Sequence, residues 1–278
     1  MLALSENSVG TDLPVVTYRW EPTDAIVYAL GVGARPPADL GYLNEAHGPA
    51  VLPTLALVAN WWAVKDLRAA LDMGSVPIVH SAQSLTLHRP MAPQGEVRVA
   101  AAVSAVWDTG KHAIVEVTSR GHDDGGELFC ARSQTMALGG GGFGGARGPA
   151  PDPEPDTPPD ASVDDDVRPE QAAIYRLSGD RNQLHIDPDA ARRYGFDDVF
   201  LHGLCTLGFA ARALIRTVGR GEPERLAELS CRFAKPVGLG APLTTDIWHD
   251  GQNARFRSRQ GQTVALSAGS ARFSTEGD

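Results

Sequence analysis

Two stretches of the chain carry apolar residues too densely for a single amphipathic face: 55–71 (LALVANWWAVKDLRAAL) and 204–218 (LCTLGFAARALIRTV). Runs of that length and density predict helices with substantial burial. After each come segments in which apolar and polar positions alternate, the pattern of strands with one buried face. In the first half these are 97–106, 113–120 and 128–137; in the second they are 229–233, 243–249, 254–258 and 263–273. Residues 174–177 read as a further strand-like run. The polar stretches between strands, such as Asp108-Thr109-Gly110, Asp123-Asp124-Gly125-Gly126 and Asp250-Gly251, have the chemistry of tight hairpin turns. One long helix against an antiparallel sheet, twice, predicts the α+β class.

The two halves also resemble each other in sequence. Tyr28 in Ile26-Val27-Tyr28-Ala29-Leu30-Gly31 answers Tyr175 in Ala173-Ile174-Tyr175-Arg176-Leu177-Ser178, an offset of 147 (175 − 28). Leu52 answers Leu201 at 149 (201 − 52), and Pro90 answers Pro236 at 146 (236 − 90). Three matches in one order at nearly one offset predict a duplicated unit. Between the halves lies 139–160, GGGGFGGARGPAPDPEPDTPPD. Such a stretch has too little apolar surface to offset the entropy of ordering, so it reads as a linker, flexible in its glycines and stiffer in its prolines. Phosphate-loop chemistry is a poor reading of those glycines, because no Lys-Ser or Lys-Thr follows them. The predicted domains are therefore 1–138 and 161–278.

Composition narrows the function. The hydrophobic share of 42% and charged share of 21% are those of a soluble globular chain. A net charge of −9 argues against nucleic acid or an anionic membrane as partner, both of which demand a basic face. Three scattered cysteines, Cys130, Cys205 and Cys231, make no disulfide framework. There is no run of 18 apolar residues, no secretory leader in MLALSENSVGTDLP, and no peroxisomal address in Ser274-Thr275-Glu276-Gly277-Asp278. The expected location is the cytoplasm.

Candidate chemistry is concentrated in 175–206. Asp180, Asn182 and His185 fall within one short turn, and Leu201-His202-Gly203 opens the second apolar helix. Part of this has a purely local explanation. Asp187-Pro188 has the form of a helix N-cap and first position, with Gly195 as the stop, and Cys205 reads as packing. A metal set of His185, Asp187, His202 and Cys205 matches no zinc spacing, so no metal is expected. Asp180 and Asn182 could themselves be turn-formers beside a structural imidazole. The competing reading is an acid–base pair next to Gly203, whose N–H stands unpaired at a helix start where an oxyanion would be stabilised. The first half has Gly33 and Pro53-Thr54 at the corresponding places, and so lacks the pair.

The run Tyr175-Arg176-Leu177-Ser178-Gly179-Asp180, with Asn182, Leu184-His185, Asp187-Pro188, Gly195-Phe196 and Leu201-His202-Gly203-Leu204-Cys205-Thr206, closely resembles the hydratase 2 motif of MaoC-like (R)-specific enoyl-CoA hydratases. The resemblance covers the whole chain and implies a tandem double hot-dog, each half a sheet wrapped around one helix. It implies an active second half and a first half that widens the acyl pocket. It makes Asp180 and His185 the catalytic pair, Asn182 a positioning group and the Gly203 N–H the oxyanion donor. The implied reaction is syn hydration of a trans-2-enoyl-CoA to a (3R)-3-hydroxyacyl-CoA, without cofactor. Gln183 departs from the family, where proline is common, and restores a backbone N–H. Arg89, Arg232 and Lys235 are candidate cations for the CoA phosphates. A homodimer that covers an exposed sheet edge is expected. A hot-dog thioesterase and a non-catalytic acyl-CoA-binding subunit are the alternatives.

Overall fold

A computed structural model describes residues 4–275; the last three residues of the C-terminal pentapeptide considered above lie outside that range. The first half runs β1 (Val16–Trp20), α1 (Pro22–Gly31), α2 (Leu40–Leu43), α3 (Ala56–Val64), α4 (Leu67–Ala70), β2 (Ile78–Leu87), β3 (Gly95–Asp108), β4 (Ala113–Asp123) and β5 (Gly126–Ala137). The second runs β6 (Ala161–Asp166), α5 (Gln171–Tyr175), α6 (Pro188–Arg193), α7 (Gly203–Thr217), β7 (Leu226–Phe233), β8 (Pro242–Asp250), β9 (Asn253–Gln260) and β10 (Thr263–Phe273). Among the described residues, ten strands form one antiparallel sheet in the order β1-β3-β4-β5-β2-β7-β10-β9-β8-β6. Read outward from its centre, each half has the same strand sequence. The α+β class expected from the pattern, and the double hot-dog that the resemblance implies, are the observed architecture.

The halves meet where β2 pairs with β7. In that register Ser84 faces Ser230, Ala82 faces Arg232 and Thr86 faces Glu228. The offset 230 − 84 is 146, the value that separates the two matched prolines, so a local dyad passes through the Ser84–Ser230 pair. Each half thereby covers the sheet edge that the other would expose, which removes the unpaired N–H and C=O groups of an open edge. Against the sheet, α7 buries nearly its whole length and α3 most of its side chains, Trp62 being exposed; the buried set includes Leu57, Ala59, Leu207, Phe209, Ala210 and Leu214. This accounts for their lack of a polar face.

Several expectations need correction. Residues 174–177 are helical, not extended: α5 continues into a 3₁₀ turn at Arg176–Ser178. The apolar run 55–71 is broken after Val64 and resumes as the single turn α4. Strands β1, β2 and β6 add to those that the alternation predicts. The segment 139–160 has no helix or strand, yet its glycines are held. The Asp108 carboxylate accepts the N–H groups of Gly110, Gly142 and Gly144, and these bonds hold its pKa below the usual carboxylate value. Further on, Trp248 donates to Thr157 O and Arg255 to Pro153 O.

A second inter-half joint, made by side chains, sits at the C-terminus of α1, where a helix leaves carbonyls without partners. The second half supplies them. Gln171 Nε2 donates to Leu30 O and Gly31 O, the Cys205 thiol to Gly31 O, and Arg212 Nη1 to Val32 O. Arg212 also forms a buried ion pair with Asp39 at 2.7 Å and faces Asp165 at 3.5 Å. Gly33 has a φ of +88°, and a Cβ there would lie 2.2 Å from the Phe209 ring. Only glycine fits.

Truncating Arg212 strands Asp39 as an unpaired buried carboxylate, which costs about 3–5 kcal/mol. Arg212→Ala should therefore lower the urea midpoint of unfolding by that equivalent. An unchanged midpoint would show that the joint contributes nothing to stability.

Candidate active site

The segment from Gly179 to Gly195 is built from local caps. Asp180 Oδ1 accepts the Asn182 N–H at 3.0 Å, Asn182 Oδ1 accepts the Leu184 N–H at 3.2 Å, and Asp187 Oδ1 accepts the Asp189 N–H at 2.9 Å. Asx side chains that bind the backbone two residues on favour turns over regular structure. The sequence reading of Asp187 as an N-cap with Pro188 at the first helical position agrees with α6, and Gly195 follows at φ +85°. These turns bury His185 and leave Asn182 at the surface. Asn182 does not join the other two as a third inward group; its carbonyl oxygen caps the 3₁₀ turn Gln183–His185. Gln183 takes part through its own carbonyl, which accepts from Ile186 and Asp187.

Asp180, His185 and His202 converge so that one ligand-capable atom from each lies within 4.8 Å of the others. His185 Nδ1 sits 2.8 Å from Phe200 O. A carbonyl can only accept, so Nδ1 carries the proton and Nε2 keeps its lone pair. By the same reasoning His202 Nε2 donates to Asp180 O at 3.1 Å. The two imidazoles stack with centroids 3.7 Å apart. Burial sets the charges. It pushes the Asp180 carboxyl up, with the Asn182 N–H opposing, and it pushes His185 down and His202 down to about 2. Both imidazoles are neutral near pH 7.

His202 is also the N-cap residue of α7, whose first position is Gly203. A Cβ on Gly203 would lie 3.1 Å from the Phe233 ring, so glycine lets that ring close over the helix start. His80 of β2 also packs against Phe233, with ring centroids 4.6 Å apart. Beside Asp180 lies a small cavity of about 10 Å³, lined by Val58 and Trp61 of α3 together with Tyr175, Ser178, Gly179 and Leu204. The first half therefore forms one wall of the site.

The other candidates separate. Lys235 is exposed just beyond β7, the strand that carries Phe233, and Arg232 lies on β7 opposite Ala82. Neither is held by a carboxylate among the described residues. Arg89 lies elsewhere, in a cleft with Pro53, Met91 and Leu226, and is tied to Asp123. Of the metal set weighed from sequence, Asp187 is spent on capping and Cys205 on Gly31 O. Val58, Trp61 and the contacts of His202 are parts of the site that sequence reasoning misses. The first two were hidden in an apolar run with no polar marker, while His202 stood visibly between Leu201 and Gly203.

Known proteins resemble this chain both in sequence and in fold. Residues 18–140 match the model of the MFE-2 hydratase 2 N-terminal domain, and 151–270 match the MaoC like domain. The chain is 40% identical to 3-hydroxyacyl-thioester dehydratase Y of Mycobacterium tuberculosis, over 89% of this chain and 88% of that protein. It is 30% identical to the peroxisomal enoyl-CoA hydratase 2 of Arabidopsis thaliana, over 93% of each. The crystal structure of a MaoC-like dehydratase from Phytophthora capsici superposes with a TM-score of 0.86 at 26% identity, covering 98% of this chain and 99% of that one. A full-length match in sequence, with both family models in order and the same fold, identifies the chain as a member of the MaoC-like enoyl-CoA hydratase 2 family, in its two-domain double hot-dog form.

Proposed function

We propose that this chain adds water reversibly and on one face to a trans-2-enoyl-CoA, giving a (3R)-3-hydroxyacyl-CoA. The observation that carries the reading is the convergence of Asp180 and His185 beside the head of α7, with the His185 Nε2 lone pair unspent on the backbone. A water held between the two loses one proton to the pair as its oxygen bonds C3, and the pair delivers one proton to C2. The thioester oxygen gathers enolate charge meanwhile and rests on the Gly203 N–H, where the helix dipole adds to the hydrogen bond. Nothing is oxidised or reduced, so the scheme calls on no redox cofactor, and none of its steps needs a metal. General acid–base help supplies roughly 10² to 10⁴ in rate and one oxyanion donor roughly 10² to 10³.

The first half takes part through its wall of Val58 and Trp61. For the CoA phosphates we favour Lys235 and Arg232, on and just beyond the strand that carries Phe233 and without a carboxylate partner among the described residues, over Arg89, which lies in the other cleft and is tied to Asp123. Cytoplasmic location and a homodimer complete the proposal. No helix among the described residues is long and apolar enough to cross a membrane. The β2–β7 pairing already covers the edges that most favoured association, so a dimer would use the outer strands β1 or β6 or another face.

Asp180→Asn and His185→Gln keep size and shape while removing proton transfer. Each should fold normally and lower kcat for crotonyl-CoA hydration by at least about a hundredfold, followed by loss of enoyl absorbance; near-normal turnover in both would refute the pair. The pH dependence follows from burial. Because His185 is held below its ordinary value of 6.5, it stays neutral into mild acid. The acid limb of kcat/KM should therefore lie below pH 6.5, and a limb at or above it would contradict the assignment.

A further inference from the structure

We infer that His202 is the positioning residue of this site, fixing Asp180 through a backbone hydrogen bond and His185 through ring stacking. The inference rests on the hydratase reading for its kinetic consequences, but its geometry stands apart from it. Six rings form one continuous column through the molecule. Tyr28 of the first half packs near Tyr175 at 6.1 Å, Tyr175 meets His202 at 4.9 Å, and His202 stacks on His185 at 3.7 Å. His185 then meets Phe200 at 4.9 Å, and Phe200 meets Phe196 at 4.5 Å. His202 is the link between the rigid inter-half joint and the imidazole that faces the reacting water. It is also the residue immediately before Gly203.

The choice of imidazole is informative. Stacking alone would be served by phenylalanine, which would avoid burying a lone pair. His202 Nδ1 is buried without a hydrogen-bond partner, a feature that native structures rarely keep. A carboxamide could donate to Asp180 O but could not stack. Histidine alone combines a flat ring of this size with an N–H aimed at Asp180 O. Its neutrality suits the task, since a charge here would repel a proton arriving on His185. The titratable and charged groups facing it are Asp180, His185, Tyr175 and Arg176. Holding the loop shut also keeps His185 desolvated.

Two variants separate the two contacts. His202→Phe keeps the stack and drops the hydrogen bond; His202→Gln keeps a donor and drops the stack. Each should lower kcat on crotonyl-CoA by roughly 10- to 100-fold, because misplacement on the scale of 1 Å costs about that much. KM should move by less than about threefold, and the acid limb of kcat/KM should rise toward 6.5 as water reaches His185. A purely structural residue would lower Tm without moving that limb. Wild-type kcat and an unmoved limb in both variants would overturn the inference. Should neither variant fold, ¹⁵N NMR of the wild-type imidazoles decides: His202 must carry its proton on Nε2, and the Nδ1–H tautomer would overturn it. An inactive wild type with active-site tautomers as described would instead fault the hydratase reading and leave the clamp standing.

Discussion

The pairing of β2 with β7 is the constraint on which the rest depends. It joins two half-structures about a dyad at Ser84 and Ser230, so every element of one half stands in a fixed relation to the other. Because of it, α3 of the first half lies beside Asp180, and α7 of the second lies beside Gly33. The first contact makes a pocket. The second makes a structural joint. A sheet edge buried on another sheet edge is also hard to open, because its backbone groups would have to be returned to water together.

The same fold position has therefore been put to two uses. At 180 an acid stands against a cavity walled by Val58 and Trp61. At the dyad-related position 33 a glycine is pressed against Phe209, and the guanidinium of Arg212 fills the remaining polar space by binding Val32 O and Asp39. No room remains there for a reacting carboxylate and a water. One half has kept the polar constellation that chemistry needs, and the other has exchanged it for contacts that lock the two together. The series of rings that reaches His202 begins where Tyr28 meets Tyr175, and the capped end of α1 lies on the same interface between the halves.

Much of this could be read from the chain because duplication leaves a measurable offset. The spacing of 146 between Pro90 and Pro236 is the spacing of the central strand pair; the duplication is legible in it, and the α+β class in the alternation of apolar helices and strands. Asp180, His185 and Gly203 were recognisable because polar residues crowd where apolar ones would otherwise bring stability. Strand β6, with its Ser162, Asp164 and Asp166 outward, was lost among acidic linker residues, and β2 was lost because its buried face includes Gln83. The helical state of 174–177 is a tertiary effect: Tyr175 turns inward to meet Tyr28 and His202, which local propensity does not encode. Asn182 had been given a chemical task that its capping bond and exposure do not support. Val58 and Trp61 could not be found from sequence, since an apolar wall looks like any other core residue until its neighbour is known.

The central claim is that one water, held on one face of the substrate by Asp180 and His185, supplies both the oxygen and the proton of the addition. Hydration of crotonyl-CoA in deuterated water, with the product's configuration resolved at C2 and C3, tests it most directly. The account predicts a (3R) hydroxyl with deuterium on the same face at C2. Addition across opposite faces, or release of free CoA thiol in place of a hydroxyacyl product, would contradict it.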